Sequence, residues 1–101
     1  MKQEKSEKKI NIICSKRLKK YFALTERALD MAKKNINAER KKEAEEITKM
    51  ASCYLDDAKY FEKKGHYVNA FACLNYAHGW LDAGSRLGIF DVKDSNLFVI
   101  K

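Results

Sequence analysis

Turn-forming residues are scarce in this chain: its 101 residues include no proline and only four glycines. A β-sandwich or β-barrel joins many short strands through turns that need such residues, so the sequence predicts an all-α fold. Hydrophobic residues make up 46% of the chain, a share that supports one modest core in a domain of this size. No apolar run approaches the roughly 18 residues of a membrane span, and the basic N-terminus lacks the apolar core of a signal peptide. We therefore expect a soluble, cytoplasmic domain that does not contact a membrane.

Apolar residues recur at helical spacing in the first two thirds of the chain. One series predicts a helix over residues 15–36, with Ser15 as its N-cap. A second series predicts a helix over residues 38–64, capped by Asn37 and followed by Gly65, a residue typical of the position just past a helix. The apolar stripes consist of Leu18, Phe22, Thr25, Leu29, Ala32 and Ile36 in the first helix, and of Ile47, Ala51, Tyr54, Ala58 and Phe61 in the second.

The third predicted helix, over residues 67–87, is apolar on two adjoining stripes and stops at Gly88. Together these stripes cover roughly 200°, whereas a helix packed on one side needs about 100°. We therefore expect this helix to contact two neighbours, either the first two helices or one helix and a second subunit. Because a glycine inside a helix costs about 1 kcal/mol relative to alanine, we also expect a close contact at both Gly79 and Gly84. The inner stripe is Ala70, Leu74, Ala77, Leu81 and Gly84, and the outer stripe is Cys73, Tyr76, Trp80, Ala83 and Leu87.

These elements predict a three-helix antiparallel bundle in which helices two and three form a hairpin and helix one covers helix three. We expect a basic, flexible N-terminal arm over residues 1–14, a helical domain over residues 15–92 and an apolar tail over residues 93–101. The tail contains four consecutive apolar residues, at 97–100. We expect this short extended tail to pack on the bundle, with addition to a partner as the alternative.

Residues 54–77 resemble one tetratricopeptide-type helical hairpin. Small residues at Ala58 and Ala70 allow two helices to cross closely, and larger residues fill the flanks. Asp57 departs from the pattern, which has an aliphatic residue at that position. Because a solenoid needs about three repeats, a single copy implies a hairpin and not a peptide-binding superhelix. The matching positions are Tyr54, Ala58 and Phe61, then Gly65 and Tyr67 in the turn, then Ala70, Leu74 and Ala77.

A second resemblance covers most of the chain. The sequence reads Asp-Ala-Lys-Tyr-Phe at 57–61, Gly-His-Tyr-Val-Asn-Ala at 65–70 and Tyr-Ala-His-Gly-Trp-Leu-Asp-Ala-Gly at 76–84. With these motifs, residues 15–92 resemble a family of small archaeal helical proteins known as domain of unknown function 357. The resemblance implies a helical bundle in an archaeal cytoplasm. The family has no established catalytic residues to carry over.

The sequence shows no Gly-rich phosphate loop, no Ser-His-Asp order and no clustered thiols. We therefore expect no catalytic residue, no metal site and no cofactor. The outer stripe and the tail supply a candidate interaction surface, because aromatic residues dominate binding energy where they lie at an interface. Its residues are Tyr76, Trp80, Leu87 and Phe98. For Tyr76 and Trp80, burial in the core against helix one is the preferred interpretation.

The third helix also carries one polar stripe, which consists of Asn75, His78, Asp82 and Arg86. His78 and Asp82 lie one turn apart, so they could hold a metal ion or exchange protons. The simpler interpretation is that Asp82 pairs with Arg86 and that His78 sits at the rim of the core.

Basic residues are concentrated at the N-terminus. The net charge is +7, and residues 1–20 hold eight Lys and Arg against two Glu. Such an arm can pair with the phosphates of a nucleic acid. Residues 1–20 contain no aromatic side chain on which a base would stack, so a solvated arm is the preferred interpretation. The candidate nucleic-acid contacts are Lys8, Lys9, Lys16, Arg17, Lys19 and Lys20.

The three cysteines, at 14, 53 and 73, are widely spaced and form no Cys-x-x-Cys pair. This favours free thiols in a reducing cytoplasm. The sequence thus favours a non-enzymatic helical protein–protein interaction module, which binds a protein partner or self-associates as a homodimer. An accessory nucleic-acid-binding protein that uses the N-terminal arm is the alternative. A metal-binding or hydrolytic site around His78 and Asp82 is a weaker alternative.

Overall fold

Three long helices make up most of the protein. The computed structural model describes residues 14–94 and 97–98. Helix α1 spans Ser15–Lys34 and helix α2 spans Lys41–Lys63, preceded by a single 3-10 turn at Ala38–Arg40. Helix α3 spans Tyr67–Arg86. The predicted all-α fold is confirmed.

The connections follow from local side-chain chemistry. Asn37 caps the start of the second helical segment, because its side chain accepts a hydrogen bond from the Glu39 backbone N–H at 3.0 Å. Gly65 and Gly88 follow α2 and α3 with φ angles of +77° and +75°, a backbone conformation that residues with a Cβ adopt only at a cost. The predicted cap at Asn37 and the predicted stops at the two glycines are confirmed.

The two ends of α1 differ from the prediction. Ser15 is not the N-cap but the first helical residue, and the cap position belongs to Cys14, which makes no side-chain capping bond. The helix ends two residues early, at Lys34, because Asn35 has a φ of −132° and leaves the helical conformation. Ile36 then pairs with Phe90 in an antiparallel β-bridge. The competing bridge to the C-terminal segment thus takes Ile36 out of the helix.

The helices run up, down and up in a three-helix antiparallel bundle, with the tetratricopeptide-like hairpin formed by α2 and α3. Within the hairpin, the Tyr54 ring stacks on the Tyr76 ring, and Ile47 lies beside Gly84. The small hairpin residues Ala58 and Ala70 are completely buried, so the two backbones approach closely there. α1 packs across this hairpin and contacts both of its helices.

The inner stripe of α3 is buried as predicted, from Ala70 to Gly84. A close contact explains only one of the two glycines inside α3. A Cβ placed on Gly84 would lie 2.7 Å from Phe90 Cδ2 and 3.2 Å from Ile47 Cδ1. For Gly79 the expected close contact is wrong. Apart from its two chain neighbours and the backbone of α3 itself, no atom of the described residues lies within 4 Å of such a Cβ.

The segment after α3 folds back over the bundle. Ile89 and Phe90 are buried, and the Asn37 backbone N–H donates to the Ile89 carbonyl oxygen at 2.9 Å. Further on, Leu97 and Phe98 are only 2% and 3% exposed and belong to the core. Of the predicted apolar tail over residues 93–101, residues 95–96 and 99–101 lie outside the described residues, and so do residues 1–13 of the predicted arm over residues 1–14.

Candidate functional site

α3 presents two different side-chain rows outside the inner stripe. The polar row turns towards α1, and the outer apolar row turns the opposite way. The contacts between α1 and α3 fix this orientation: the Tyr21 ring meets the Phe71 ring edge-on at 5.0 Å, and Thr25 meets His78. His78 and Phe71 thus face α1, while Tyr76 lies on the opposite side of α3 and faces away from it.

His78 is the centre of the polar row. Its Nε2 donates a hydrogen bond to the Leu97 carbonyl oxygen, and its Nδ1 lies 3.4 Å from Thr25 Oγ1. A carbonyl oxygen only accepts, so Nε2 carries a hydrogen; the neutral ring then accepts the Thr25 hydroxyl hydrogen at Nδ1. This tautomer is assigned from its partners. Asp82 Oδ1 lies 3.9 Å from Nε2, where its negative charge favours that same N–H.

The His78 ring therefore connects α1, α3 and the C-terminal segment. Both ring nitrogens are directed at protein groups, and Thr25 is 3% exposed, so the ring bonds a buried hydroxyl of α1 and the Leu97 carbonyl oxygen. Beside it, α1 and α3 form a shallow groove of about 360 Å³. Among the described residues, no three His, Cys, Asp or Glu side chains are grouped as a metal ion would need.

The other residues of the polar row are dispersed. Asn75 and Arg86 are exposed, whereas His78 and Asp82 are half-buried. The predicted ion pair between Asp82 and Arg86 does not appear among the ion pairs of described residues; Asp82 instead faces His78. The structure thus brings together two of the four predicted residues and adds Thr25. The sequence signal for Thr25 was a polar residue within the apolar stripe of α1.

The outer apolar row is exposed, which corrects the expectation that Tyr76 and Trp80 lie in the core. Trp80 is 40% exposed, Tyr76 62% and Leu87 63%. The physical reason is that α1 crosses α3 on the polar side, so α1 lies away from this row. Helix α3 does contact two neighbours: α1 on its polar side, and α2 through its inner stripe and the Tyr76 ring.

Phe98 does not belong with these exposed residues, and its placement in the interaction surface is wrong. It is 3% exposed, and its ring lies 6.4 Å from the His78 ring, on the α1 side of α3. The apolar side chains of Leu97 and Phe98 pack in the core.

Helix α2 extends the outer row into a wider surface. Tyr54 is half-buried and stacks on Tyr76, with ring centroids 5.3 Å apart and planes inclined by 29°. Met50, also half-buried, lies one helical turn before Tyr54 on the same side of α2. We call this surface the back face, and it consists of Met50, Tyr54, Tyr76, Trp80, Ala83 and Leu87. The spacing of apolar residues in α2 predicted Tyr54 as part of a core stripe, and no sequence pattern indicated its part in this surface.

Charged groups border the back face at both ends. At one end, burial and then the nearby Asp57 carboxylate raise the pKa of the Cys73 thiol above its ordinary value. At the other end, Arg40 donates from Nε to Glu43 at 2.8 Å and from a terminal nitrogen to the Leu87 carbonyl oxygen at 3.4 Å. The hydrogen bond from Arg40 is the main cause that lowers the pKa of Glu43. Arg40 thereby fixes the position of the α3 end of the back face.

The basic candidates that the structure describes lie on the first two turns of α1. Lys16, Arg17, Lys19 and Lys20 are exposed, and the Arg17 guanidinium lies 5.9 Å from the Tyr21 ring centre. Lys19 borders a surface groove of about 500 Å³ together with Lys59 and Lys63 of α2 and two glutamates. Lys8 and Lys9 lie outside the described residues.

Comparisons with known proteins give one result. Residues 20–90 match the family described as "Protein of unknown function (DUF357)", which is well over half of the chain. No significant match was found among curated proteins or among solved structures. Within the described part of the chain, every helix is too short or too polar to cross a membrane. The chain belongs to the DUF357 family, whose function is unknown.

Proposed function

We propose that this protein is a non-enzymatic helical interaction module that self-associates as a homodimer through the back face. The single observation that carries the proposal is the exposure of Tyr76, Trp80 and Leu87 in one row, on a helix whose inner stripe is buried. We place the module in an archaeal cytoplasm, as the resemblance implies and as free cysteines in a reducing compartment would suit.

Exposed aromatic side chains are well suited to bind a partner. Tyrosine and tryptophan each carry a large apolar surface with few rotatable bonds, so they lose little entropy when a partner covers them. Contiguous exposed apolar patches mark interaction sites more often than isolated exposed residues do. The Tyr54 stack orients the Tyr76 ring and the Arg40 bond holds the Leu87 backbone before binding, and such ordering lowers the cost of association.

The test compares two glutamate substitutions on the same helix. Trp80→Glu places a charge in the back face, and Val68→Glu places one at an exposed valine (58%) away from it. At a chain concentration on the order of 100 μM, which saturates a micromolar dimer, light scattering should show dimers for wild type and Val68→Glu. Trp80→Glu should be monomeric, with a helical circular dichroism spectrum. A monomeric wild type, or a Trp80→Glu variant that dimerises normally, contradicts the proposal.

A second candidate function is binding of a nucleic acid by the start of α1. The observation that favours it is four basic residues within the first six of this helix and no acidic residue in its first turn. The helix dipole disfavours positive charge at this end, so an anionic partner would relieve a built-in electrostatic cost.

A salt titration tests this second candidate. Full-length protein should bind a labelled RNA or DNA oligonucleotide at low salt, and the affinity should fall linearly on a logarithmic plot as salt rises. The paired change Lys19→Glu and Lys20→Glu should weaken binding and flatten the slope. Lys33→Glu with Lys34→Glu, the same charge change at the other end of α1, is the matched control. Absence of binding at low salt, or equal losses in both variants, contradicts it.

A further inference from the structure

We propose that the groove between α1 and α2 binds the phosphate backbone of a single-stranded nucleic acid, with lysines of both helices as its contacts. This inference rests on the second candidate function, and it adds a second wall to that site and a form to its ligand. The contacts are Lys16, Lys19 and Lys20 on the α1 wall and Lys59 and Lys63 on the α2 wall.

The α1 wall consists of the lysines that lie on the α2 side of this helix. Lys19 and Ala23 both line the groove, whose volume is about 500 Å³. Lys16 lies three residues before Lys19, and Lys20 lies three residues before Ala23. Residues three apart are neighbours on a helix surface, so these two lysines extend the same wall.

The opposite wall comes from the last turns of α2. Lys59 and Lys63 lie one helical turn apart, and both line the groove. Because α1 and α2 run in opposite directions, the start of α1 lies beside the end of α2. The fold thus brings together two sets of exposed lysines that are distant in the sequence.

Two glutamates also line the groove and reduce its positive charge. Glu26 Oε2 lies 3.8 Å from Lys59 Nζ, and both side chains are 50% exposed. An exposed ion pair contributes at most about 1 kcal/mol, so Lys59 can exchange Glu26 for a phosphate. With Glu62 as the second acid, the five lysines face two carboxylates and leave the groove with a charge of +3.

A nucleic acid fits this groove better than an acidic protein does. Protein interfaces depend on large apolar or aromatic anchors, whereas nucleic-acid interfaces are more polar and strongly positive. Of the apolar residues that line the groove, Phe22 is only 7% exposed and Ala23 offers a single methyl group. A lysine ammonium binds a phosphate as a point charge, and such contacts need no apolar anchor.

The short extent of the two walls favours a single strand over a duplex. The lysines of each wall are spread over four helical steps, which is about 6 Å of helix. A duplex is stiff over about 50 nm and carries one phosphate per strand about every 3.4 Å, so it would lay about two phosphates along this groove. A single strand bends freely and can bring successive phosphates to both walls.

Fluorescence anisotropy with a labelled oligouridylate of about 12 nucleotides, a length typical of single-strand sites, tests the groove. Lys59→Gln with Lys63→Gln removes two of the five positive charges. At about 50 mM salt this variant should bind roughly tenfold or more weakly than wild type, and its salt slope should fall by about 1.4. Lys41→Gln with Lys42→Gln makes the same charge change about 25 Å away along α2 and should bind as wild type does.

Glu26→Gln tests the groove in the opposite direction. It removes one carboxylate from the groove and the ion pair of Lys59, so oligouridylate should bind several-fold more tightly. Loss of folding cannot produce such a gain, so this variant keeps the test decisive if the lysine substitutions perturb the fold. Glu45→Gln, at an exposed position near the start of α2, is the matched control and should leave the affinity unchanged. An unchanged or lower affinity for Glu26→Gln contradicts the inference.

The remaining outcomes separate this inference from the second candidate function. If Lys19→Glu with Lys20→Glu weakens binding but Lys59→Gln with Lys63→Gln binds as wild type does, α1 alone holds the nucleic acid and the groove is wrong. If a hairpin duplex with the same number of phosphates, or an oligoglutamate peptide of the same charge, binds as tightly as oligouridylate, the assigned ligand is wrong. If the full-length wild type binds neither oligouridylate nor the duplex at low salt, both proposals fail.

Discussion

Gly84 and Gly79 lie five residues apart on α3 in opposite surroundings. A Cβ on Gly84 would meet the ring of Phe90, which is 1% exposed and has no room to move. Gly84→Ala should therefore destabilise the fold by roughly 1–3 kcal/mol, the usual cost of overpacking a core. Urea denaturation, in the monomeric Trp80→Glu background, measures the change in the free energy of unfolding.

Gly79→Ala is the matched control for that prediction. The added methyl group meets open space within the described structure, and alanine is the better helix former by about 1 kcal/mol. The variant should thus be as stable as its parent or more stable by up to that amount. Equal destabilisation by both alanine substitutions would show that the packing of Phe90 against Gly84 is not as described.

The Cys73 thiol offers a test of electrostatics on the border of the back face. Burial and the Asp57 carboxylate both disfavour the thiolate and raise the pKa of this thiol, so less thiolate is present at a given pH. Since alkylation requires the thiolate, Asp57→Asn should shift the rate–pH curve of Cys73 to lower pH. Mass spectrometry of iodoacetamide-treated protein measures the rate, with the exposed Cys53 as internal standard. A curve that does not move would contradict the assigned influence of Asp57.

The glycines that end helices and the asparagine that caps one were predictable because their effect is local. Gly65 and Gly88 adopt the positive φ angles expected of them, and Asn37 makes the predicted cap. Thr25 and Ile36 were not predictable in the same way. The roles of these two residues depend on His78 and Phe90, which lie more than fifty residues away in the sequence, and no local pattern specifies such a pairing.

At the scale of elements, the connection between α1 and α2 is held by Asn37. Its side chain accepts from the Glu39 N–H at 3.0 Å and donates to the Gly88 carbonyl oxygen at 3.1 Å, while its backbone N–H donates to Ile89. Asn37→Ala removes both side-chain bonds and should cost about 0.5–2 kcal/mol. Thermal unfolding followed by circular dichroism measures the loss.

Asn35→Ala provides the comparison for Asn37. The Asn35 side chain makes one exposed bond back to the Met31 carbonyl oxygen of its own helix, and among the described residues it makes no hydrogen bond to another element. Its replacement should cost clearly less than that of Asn37. Similar losses for the two asparagines would argue that the cap does not couple α2 to the segment after α3.

Helix α3 shows where periodicity stops being informative. The sequence correctly predicts that the inner stripe is buried, but it wrongly favours the apolar outer row over the polar row as the side that α1 covers. Which row is covered depends on the side from which α1 crosses, and that is set by pairs such as Tyr21 with Phe71. The buried Phe98 and the exposed Trp80 are both consequences of this one crossing.

For the molecule as a whole, the chain covers one side of its hairpin and leaves the other open. α1 and the C-terminal segment both lie on the polar side of α3, where the His78 ring ties them together through Thr25 and Leu97. The back face has no such cover among the described residues. A domain of this size has only a small hydrophobic core. Burial of the apolar side chains of the back face against a second copy would therefore add directly to its stability.

If a second copy covers the back face, the unfolding temperature should depend on protein concentration. A partner that binds only the folded chain stabilises it by mass action, and each tenfold rise in concentration above the dissociation constant adds on the order of 1 kcal/mol. For a domain of about 100 residues this should raise the unfolding midpoint by a few degrees per tenfold step. The Trp80→Glu variant should unfold at one temperature across the same series, and Val68→Glu should follow wild type. Scanning calorimetry from about 10 μM to 1 mM spans the range in which a micromolar dimer responds. A wild-type midpoint that stays constant over that range would mean that the exposed aromatic row contributes nothing to stability through a second copy.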